Sequence, residues 1–349
     1  MSHSKRLLVL FSGLLAFLAA GPLTVAAEKE ISLDPVKVDL PSGTIEYIDT
    51  GGKGAPLVLL HPAGVRLWEH QIPAFAKAGY RVVAIDSRNR TVGAAPEGFG
   101  SNRGLMRIDE LVGKLGLSKF HILGTDGNGV MAFTYARAHP EKIRSLIMSG
   151  TFGGLRDPDL NALENSLRPA PFNDLPLVVR YVSATYRAGN PDGAKRWLEL
   201  EDQGNAAVPQ AVPGGNRGGA PGAAPGAGGP PGAGGPPGAG GPPGAGGPPG
   251  AGGPPGAGGP PGAGGPPGAG GPGPGGADAL TIEKLKAWQL PTMMITGASD
   301  LYTPPPLMRI FVSNLKNGEG VVISDAAHAT YWENPDDYNR AVLKFIRKH

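Results

Sequence analysis

Short, densely apolar segments alternate with helical segments along most of this chain. The segments "PLVLLHP" (56–62), "YRVVAID" (80–86), "KFHILG" (119–124) and "IRSLIMSG" (143–150) are typical of buried strands. Strands that are apolar along nearly their whole length, with helices between them, indicate a mainly parallel sheet covered on both faces. The sequence therefore predicts an α/β fold with a doubly wound, mainly parallel sheet.

The segments around these strands fit the same architecture. Residues 32–49 alternate apolar and polar positions around turn residues, which predicts a hairpin, and residues 105–116 predict an amphipathic helix. The pattern returns near the C-terminus with a Thr-capped helix at 281–288 and a closing helix at 335–349. We therefore predict that residues 28–150 and 278–349 form two parts of one core.

The two core parts are separated by a segment of different character. Residues 151–203 contain helix-like stretches, including "LPLVVRYVSATYRA" (175–188) and "GAKRWLELED" (193–202), and no strand pattern lies between them. This segment is predicted to be a helical cap inserted into the core.

A Gly/Pro/Ala repeat follows over residues 204–277 and holds most of the 58 Gly and 38 Pro residues. The unit GGPPGA recurs with a period of six, and Gly occupies every third position from Gly226 to Gly271. Such a segment has no apolar face to bury, so it forms either a flexible, partly polyproline-II loop or a short collagen-like helix joining three chains. The AGG triplets lack stiffening imino acids, which favours the disordered loop over oligomerisation through the repeat.

The N-terminus resembles an export signal. Lys5 and Arg6 precede an apolar run of 14 residues, and small residues stand before Glu28. We predict a signal peptide over residues 1–27, cleavage after Ala27, and a periplasmic or secreted protein without stable membrane insertion. The alternative is an uncleaved membrane anchor.

Composition excludes several classes of function. Removing residues 1–27 lowers the net charge from +3 to +1, and the sequence has no basic stripe, so nucleic acid is not an expected partner. The absence of cysteine excludes disulfides and a thiol nucleophile. The seven histidines show no metal-ligand spacing, so we expect no metal and no other cofactor.

Chemistry-bearing motifs follow the predicted strands in a fixed order. They are "LLHPAG" (59–64), "DSRNR" (86–90), "GTDGNG" (124–129), "MITGASDLYTPP" (294–305) and "ISDAAHATYWENPDDY" (323–338). Together they resemble the α/β-hydrolase fold superfamily from about residue 32 to the C-terminus, without the repeat. The resemblance implies a nucleophile, an acid and a histidine, in that order, at the carboxyl ends of strands.

The resemblance assigns Asp126 as the nucleophile on a strained strand–turn–helix elbow, Asp300 as the acid and His328 as the base. It also implies an oxyanion hole made by the backbone N–H groups of Ala63 and Gly127. The chain departs from the family pattern at Pro62 and Asn128, where Gly is usual.

An aspartate elbow resembles that of epoxide hydrolases and haloalkane dehalogenases. A carboxylate is ionised at neutral pH, so it can attack carbon and form an ester that His328 and water then hydrolyse. Epoxide hydrolases also use phenols from the cap, for which Tyr181 and Tyr186 are the candidates. Gly127 stands where dehalogenases carry a halide-binding Trp, which favours an epoxide hydrolase-like enzyme acting on a small molecule.

A competing hypothesis is a ligand-binding protein with a degenerate elbow. Asp126 could be an ordinary helix N-cap, His328 a packed loop residue and Asp300 a turn former. The two hypotheses differ in whether these three side chains converge within hydrogen-bond reach around an enclosed pocket, with the N–H groups of Ala63 and Gly127 directed into it.

Overall fold

The computed structural model describes residues 31–86, 103–206 and 280–349. The predicted signal peptide, and the predicted repeat from residue 207 onward, lie outside the described residues.

A sheet of eight strands, in the order β1-β2-β4-β3-β5-β6-β7-β8, forms the centre of the described part of the chain. The strands β1 and β2 form the expected hairpin, β2 also pairs antiparallel with β4, and the remaining pairs are parallel. The predicted mainly parallel α/β sheet is therefore confirmed. The strands are β1 Val36–Leu40, β2 Gly43–Asp49, β3 Pro56–Leu60, β4 Arg81–Ile85, β5 Phe120–Thr125, β6 Ile143–Ser149, β7 Thr292–Gly297 and β8 Gly318–Ile323.

Helices cover both faces of this sheet. In β3, Val58 and Leu60 belong to the core cluster that includes residues of α2 and α3, whereas Leu57 and Leu59, equally buried, point to the opposite face. The helices are α1 Gln71–Lys77, α2 Arg103–Lys114, α3 Asp126–Ala138, α4 Pro158–Leu167, α5 Leu177–Tyr181, α6 Ala184–Gly189, α7 Pro191–Ala206, α8 Ile282–Lys286, α9 Pro305–Ser313, α10 Thr330–Glu333 and α11 Pro335–Ile346. No helix in these described ranges is both long enough and apolar enough to cross a bilayer.

The predicted cap segment forms α4 to α7, and α7 continues to Ala206, three residues past the predicted boundary. The helical stretch predicted over 175–188 is broken between α5 and α6. Ser183 adopts an extended conformation (ψ 151°) there, and its hydroxyl caps α6 by accepting from the N–H of Tyr186 at 3.1 Å. The break places Tyr181 and Tyr186 on different helices.

Candidate active site

Asp126 lies at the tip of a sharp turn between β5 and α3. It is the first residue of the helix and has φ 47°, in the left-handed region that residues other than glycine rarely adopt. A backbone of this kind costs on the order of 1–3 kcal/mol and is found mostly at functional sites. The N-cap position belongs to Thr125, so the interpretation of Asp126 as an ordinary N-cap is wrong.

Two glycines allow this turn to close. A β-carbon on Gly124 would lie 2.3 Å from the carbonyl oxygen of Asn128, and one on Gly129 would lie 2.3 Å from Cγ2 of Thr151. Any larger residue would push strand and helix apart. The elbow therefore requires glycine at both positions.

Asp300 and His328 meet beside the elbow. Asp300 follows β7 and His328 follows β8, and Nδ1 of His328 lies 3.0 Å from Oδ2 of Asp300. The Asp300 carboxylate also accepts from the N–H groups of Tyr302 (2.8 Å) and Thr303 (2.9 Å). These contacts place the Nδ1 proton of His328 toward Asp300 and leave Nε2 to face the elbow.

The pKa values of this pair follow from burial and mutual attraction. Burial works to lower the pKa of His328, but the adjacent Asp300 carboxylate favours the imidazolium, and the net pKa lies above the ordinary 6.5. Burial works to raise the pKa of Asp300, but His328 and the backbone donors of Tyr302 and Thr303 bring it below its ordinary value.

The imidazole of His328 faces Asp126. Its Nε2 lies 4.0 Å from Oδ2 of Asp126, which is longer than a hydrogen bond. Gly150, with φ 62°, lies against the ring, and a β-carbon there would come within 2.7 Å of Cε1 of His328. The glycine after β6 therefore makes room for the histidine beside the elbow.

Tyr181 extends from the cap to Asp126. Its hydroxyl donates to Oδ2 of Asp126 at 2.7 Å, and its ring packs edge-on against that of His328. Burial raises the pKa of Tyr181 well above 10, and the Asp126 carboxylate raises it further. The phenol therefore keeps its proton and acts as a hydrogen-bond donor.

Tyr186 is not brought to this site. Its ring is half-buried on α6, and its hydroxyl accepts from the side-chain amide of Asn190 at 3.0 Å. Of the two tyrosines proposed from the sequence, only Tyr181 contacts Asp126.

The other wall of the site is polar. A cavity of about 10 Å³ lies beside Asp126, His328 and Tyr181, which line one side of it. Its other lining residues are His61, Pro62, Thr125, Ser149, Glu201 and Tyr331. That volume is roughly the space of one water molecule. Nothing in the described part of the chain gathers three His, Asp or Glu side chains in a way that could hold a metal ion.

The loop predicted to complete the oxyanion hole is held by His61. The N–H of Ala63 donates to Nδ1 of His61 at 3.0 Å, and Nε2 of the same ring lies 2.7 Å from the hydroxyl of Tyr331. A substrate oxygen would have to take over the Ala63 N–H from His61. Gly127 lies in the first turn of α3, where backbone N–H groups have no acceptor within the helix. The oxyanion hole stays a prediction.

Several side chains at the site were not found by sequence reasoning. Tyr302 packs against the ring of His328 at 4.7 Å between ring centroids, and its hydroxyl accepts from Arg180 at 2.6 Å. Tyr331 also accepts from the indole N–H of Trp197 at 3.0 Å. The sequence offered one signal for Tyr302 and Tyr331: each lies within three residues of a predicted triad residue.

Comparisons with known proteins identify the family of the chain. A model of the alpha/beta hydrolase fold family matches residues 55–335. Epoxide hydrolase B of Mycobacterium tuberculosis (strain ATCC 25618 / H37Rv) is 36% identical over 117 residues, which cover 29% of this chain and 30% of that protein. The chain thus spans less than a third of the length of that relative.

Two further proteins match over more of the chain. A 2-hydroxy-6-oxononadienedioate/2-hydroxy-6-oxononatrienedioate hydrolase of Burkholderia vietnamiensis is 22% identical over 331 residues, covering 87% of this chain and 91% of that protein. A thermophilic esterase from Thermogutta terrifontis superposes with a TM-score of 0.56 at 18% identity, covering 90% and 98% of the two chains. The structural likeness shows the fold alone.

Proposed function

Since the chain belongs to the α/β-hydrolase fold family, we propose that it is a hydrolase, that Asp126 is its nucleophile and that the enzyme opens small epoxides. His328 and Asp300 then hydrolyse the covalent ester. The observation that carries the proposal is the surroundings of one carboxylate oxygen. Oδ2 of Asp126 receives the Tyr181 hydroxyl at 2.7 Å and faces Nε2 of His328 at 4.0 Å.

In the first step a carboxylate oxygen of Asp126 attacks a ring carbon of the epoxide. The ring C–O bond breaks, and the leaving oxygen takes the Tyr181 proton as the hydroxyalkyl ester forms. The raised pKa of Tyr181 makes a free tyrosinate costly. We therefore expect the phenol to share its proton with the leaving oxygen late in the step and to regain a proton from solvent.

In the second step water is added to the ester. Nε2 of His328 takes a proton from water, and the resulting hydroxide attacks the carboxyl carbon of Asp126. The tetrahedral intermediate collapses, and the diol leaves with the proton held by His328. The Asp126 carboxyl then releases to solvent the proton that the hydroxide brought, which restores the carboxylate and balances the proton that Tyr181 takes from solvent. The Asp300 carboxylate stabilises the imidazolium formed on the way, as its 3.0 Å contact with Nδ1 allows.

A haloalkane or haloacid substrate is the second candidate for the same nucleophile. Halide departure needs donors that stabilise an anion, but it needs no proton. The phenol of Tyr181, already hydrogen-bonded at Asp126, is a proton donor suited to an alkoxide. Epoxide opening is therefore the better match for this site.

Trapping the covalent ester tests the nucleophile directly. The His328→Gln variant, incubated with a panel of epoxides, haloalkanes, haloacids and esters, should gain the mass of one epoxide molecule, or the mass of one of the other compounds without its leaving group. The adduct should map to the peptide that carries Asp126. The control is His328→Gln combined with Asp126→Asn, which should gain no mass.

Each outcome of the trapping experiment has a distinct meaning. Labelling by an epoxide supports the proposed chemistry, whereas labelling only by haloalkanes or haloacids moves the protein to the dehalogenases. Adducts on another residue would contradict an Asp126 nucleophile. A folded variant that no compound labels would favour the ligand-binding hypothesis.

We also propose that the protein is exported, on the basis of the charged start, apolar run and small residues of positions 1–27. When the full chain is expressed in a bacterium, protein from the periplasm or medium should begin at Glu28. An N-terminus at Met1 in the membrane fraction would support an uncleaved anchor instead.

A further inference from the structure

We propose that Glu333 is a positioning residue that couples the cap segment carrying Tyr181 to the loop carrying His328. The proposal rests on the function proposed above, because it concerns the relative placement of the phenol and the base. Glu333 touches neither the cavity nor the reacting atoms. It acts through the backbone on either side of it.

The carboxylate of Glu333 joins the two segments with one oxygen each. Oε2 accepts from the N–H of Ser183 at 2.8 Å, and Oε1 accepts from the N–H of Ala327 at 2.8 Å. Ser183 lies two residues after Tyr181, and Ala327 directly precedes His328. One side chain therefore sets the distance between the backbone of the proton donor and the backbone of the base.

A direct backbone contact supports the same junction. The N–H of Ala329 donates to the carbonyl of Tyr181 at 2.9 Å, so the residue after His328 is also bonded to the cap. His328 is thus flanked on both sides by connections to the Tyr181 segment. A shift of the cap relative to this loop would therefore separate Tyr181 from both Asp126 and the ring of His328.

The junction depends on a carboxylate rather than on bulk. Glu333 is buried, with 9% of its surface exposed, and both amides that it receives are buried as well. Two N–H groups require two acceptors, which a carboxylate supplies. The side chain of glutamine supplies only one acceptor oxygen. Its NH₂ group then faces the second backbone N–H group, which is left without an acceptor. Glu333→Gln is therefore nearly the same size but can keep only half of the junction.

The hydrogen bond from Ser183 to Glu333 can be removed without removing the one from Ala327. Ser183 has φ −59° and the preceding Val182 has ψ 128°, values that a proline and the residue before it adopt readily. Ser183→Pro deletes the N–H that Oε2 accepts, while the bond to Ala327 is kept. This variant also loses the Ser183 hydroxyl cap of α6, so Ser183→Ala, which retains the N–H, is its control.

The test measures His328 and the two chemical steps separately. The pKa of His328 is followed by NMR of ¹⁵N-histidine protein, with assignment by His328→Gln. Ester formation and ester hydrolysis are followed by quenched-flow mass spectrometry with an epoxide. The control for general destabilisation is Asp109→Asn, because Asp109 also bridges two elements, through the Tyr135 hydroxyl (2.8 Å) and Lys142 (2.5 Å).

We expect Glu333→Gln to slow both steps roughly tenfold or more and to change the His328 pKa, because small misplacements of reacting groups cost up to about a hundredfold. Ser183→Pro should slow ester formation and leave the His328 pKa as in the wild type. Ser183→Ala and Asp109→Asn should match the wild type in all three measurements.

The proposal is overturned if Glu333→Gln has the wild-type His328 pKa and wild-type rates while its melting temperature falls as in Asp109→Asn. It is equally overturned if Ser183→Pro, folded, forms the ester at the wild-type rate. If no epoxide reacts with the wild-type protein, the proposed function fails, and the His328 titration alone decides whether Glu333 positions that ring.

Discussion

The core half of the site and the cap half are built in different ways. Asp126, Asp300 and His328 follow β5, β7 and β8, whose parallel registers fix where each strand ends. Tyr181 lies on α5, a five-residue helix of the cap. Two other cap helices, α4 and α6, have no buried residue. The proposed nucleophile and its partners are therefore placed by the sheet, whereas the proposed proton donor is placed by a few specific contacts.

This difference has consequences for substitutions. A change in the core half removes a chemical group from a scaffold that stays in place. A change in the cap half alters a position as well as a group, so its effect on rate should be smaller and should fall on one step. Substitutions of Asp126, then of Asp300 and then of Tyr181 test that expectation.

The largest effect is expected for Asp126→Asn. The variant lacks the nucleophilic oxygen, so the steady-state rate should fall by about four orders of magnitude or more. Asparagine tolerates the left-handed backbone of this position, while the loss of a negative charge at the start of α3 is mildly unfavourable. The free energy of unfolding should therefore stay within about 1 kcal/mol of the wild type.

Urea denaturation together with steady-state kinetics checks this prediction. The matched change is Asp325→Asn, since Asp325 also has a positive φ (55°) but does not line the cavity. It should keep its activity. Activity retained in Asp126→Asn would point to another nucleophile and remove the contrast between the two halves.

The second effect concerns the acid limb of the pH profile. Because His328 must be neutral to act as a base and its pKa is raised, turnover should fall with acid through a midpoint above pH 6.5. In Asp300→Asn the larger attraction that raises the pKa of His328 is lost, and burial, which lowers this pKa, is opposed only by the weaker attraction of Asp126. The midpoint should therefore move to lower pH, and the rate at neutral pH should fall by roughly a thousandfold or more, because the ring loses its orientation.

The sign of the linked stability change follows from the same shift. A folded-state pKa above the unfolded value means that the imidazolium of His328 stabilises the folded protein below pH 6.5. This contribution is lost as the pH rises through the folded pKa. NMR titration of His328 and the pH dependence of the melting temperature measure both effects. A midpoint unchanged in Asp300→Asn would show that the 3.0 Å pair does not control the base.

The same contrast explains what could be predicted from the sequence. Asp126, Asp300 and His328 were assigned by the resemblance of their motifs to those of the α/β-hydrolase fold. Each motif follows a predicted strand, and the sheet brings the carboxyl ends of those strands to one edge. The position of Tyr186 could not be predicted, because a break at Ser183 interrupts a stretch whose periodicity is helical throughout. The engagement of Ala63 by His61 depends on side-chain contacts that no local pattern encodes.

The smallest effects, and the sharpest comparison, come from the two cap tyrosines. Tyr181→Phe removes the hydroxyl that lies 2.7 Å from Asp126, so ester formation should slow by about a hundredfold. Ester hydrolysis should be unchanged, because no step assigned to His328 uses the phenol. Tyr186→Phe removes a hydroxyl that contacts Asn190, and both rates should equal those of the wild type.

Quenched-flow measurement of the two steps distinguishes these variants even though both remove a single oxygen atom from the cap. Equal slowing in both would mean that the cap acts as one body and that the Tyr181 hydroxyl has no special role. Faster ester formation in Tyr181→Phe would mean that the hydrogen bond chiefly restrains the Asp126 carboxylate. Slowing confined to ester formation in Tyr181→Phe alone would establish the phenol as the proton donor, because Tyr186 differs from Tyr181 in which atoms its hydroxyl reaches.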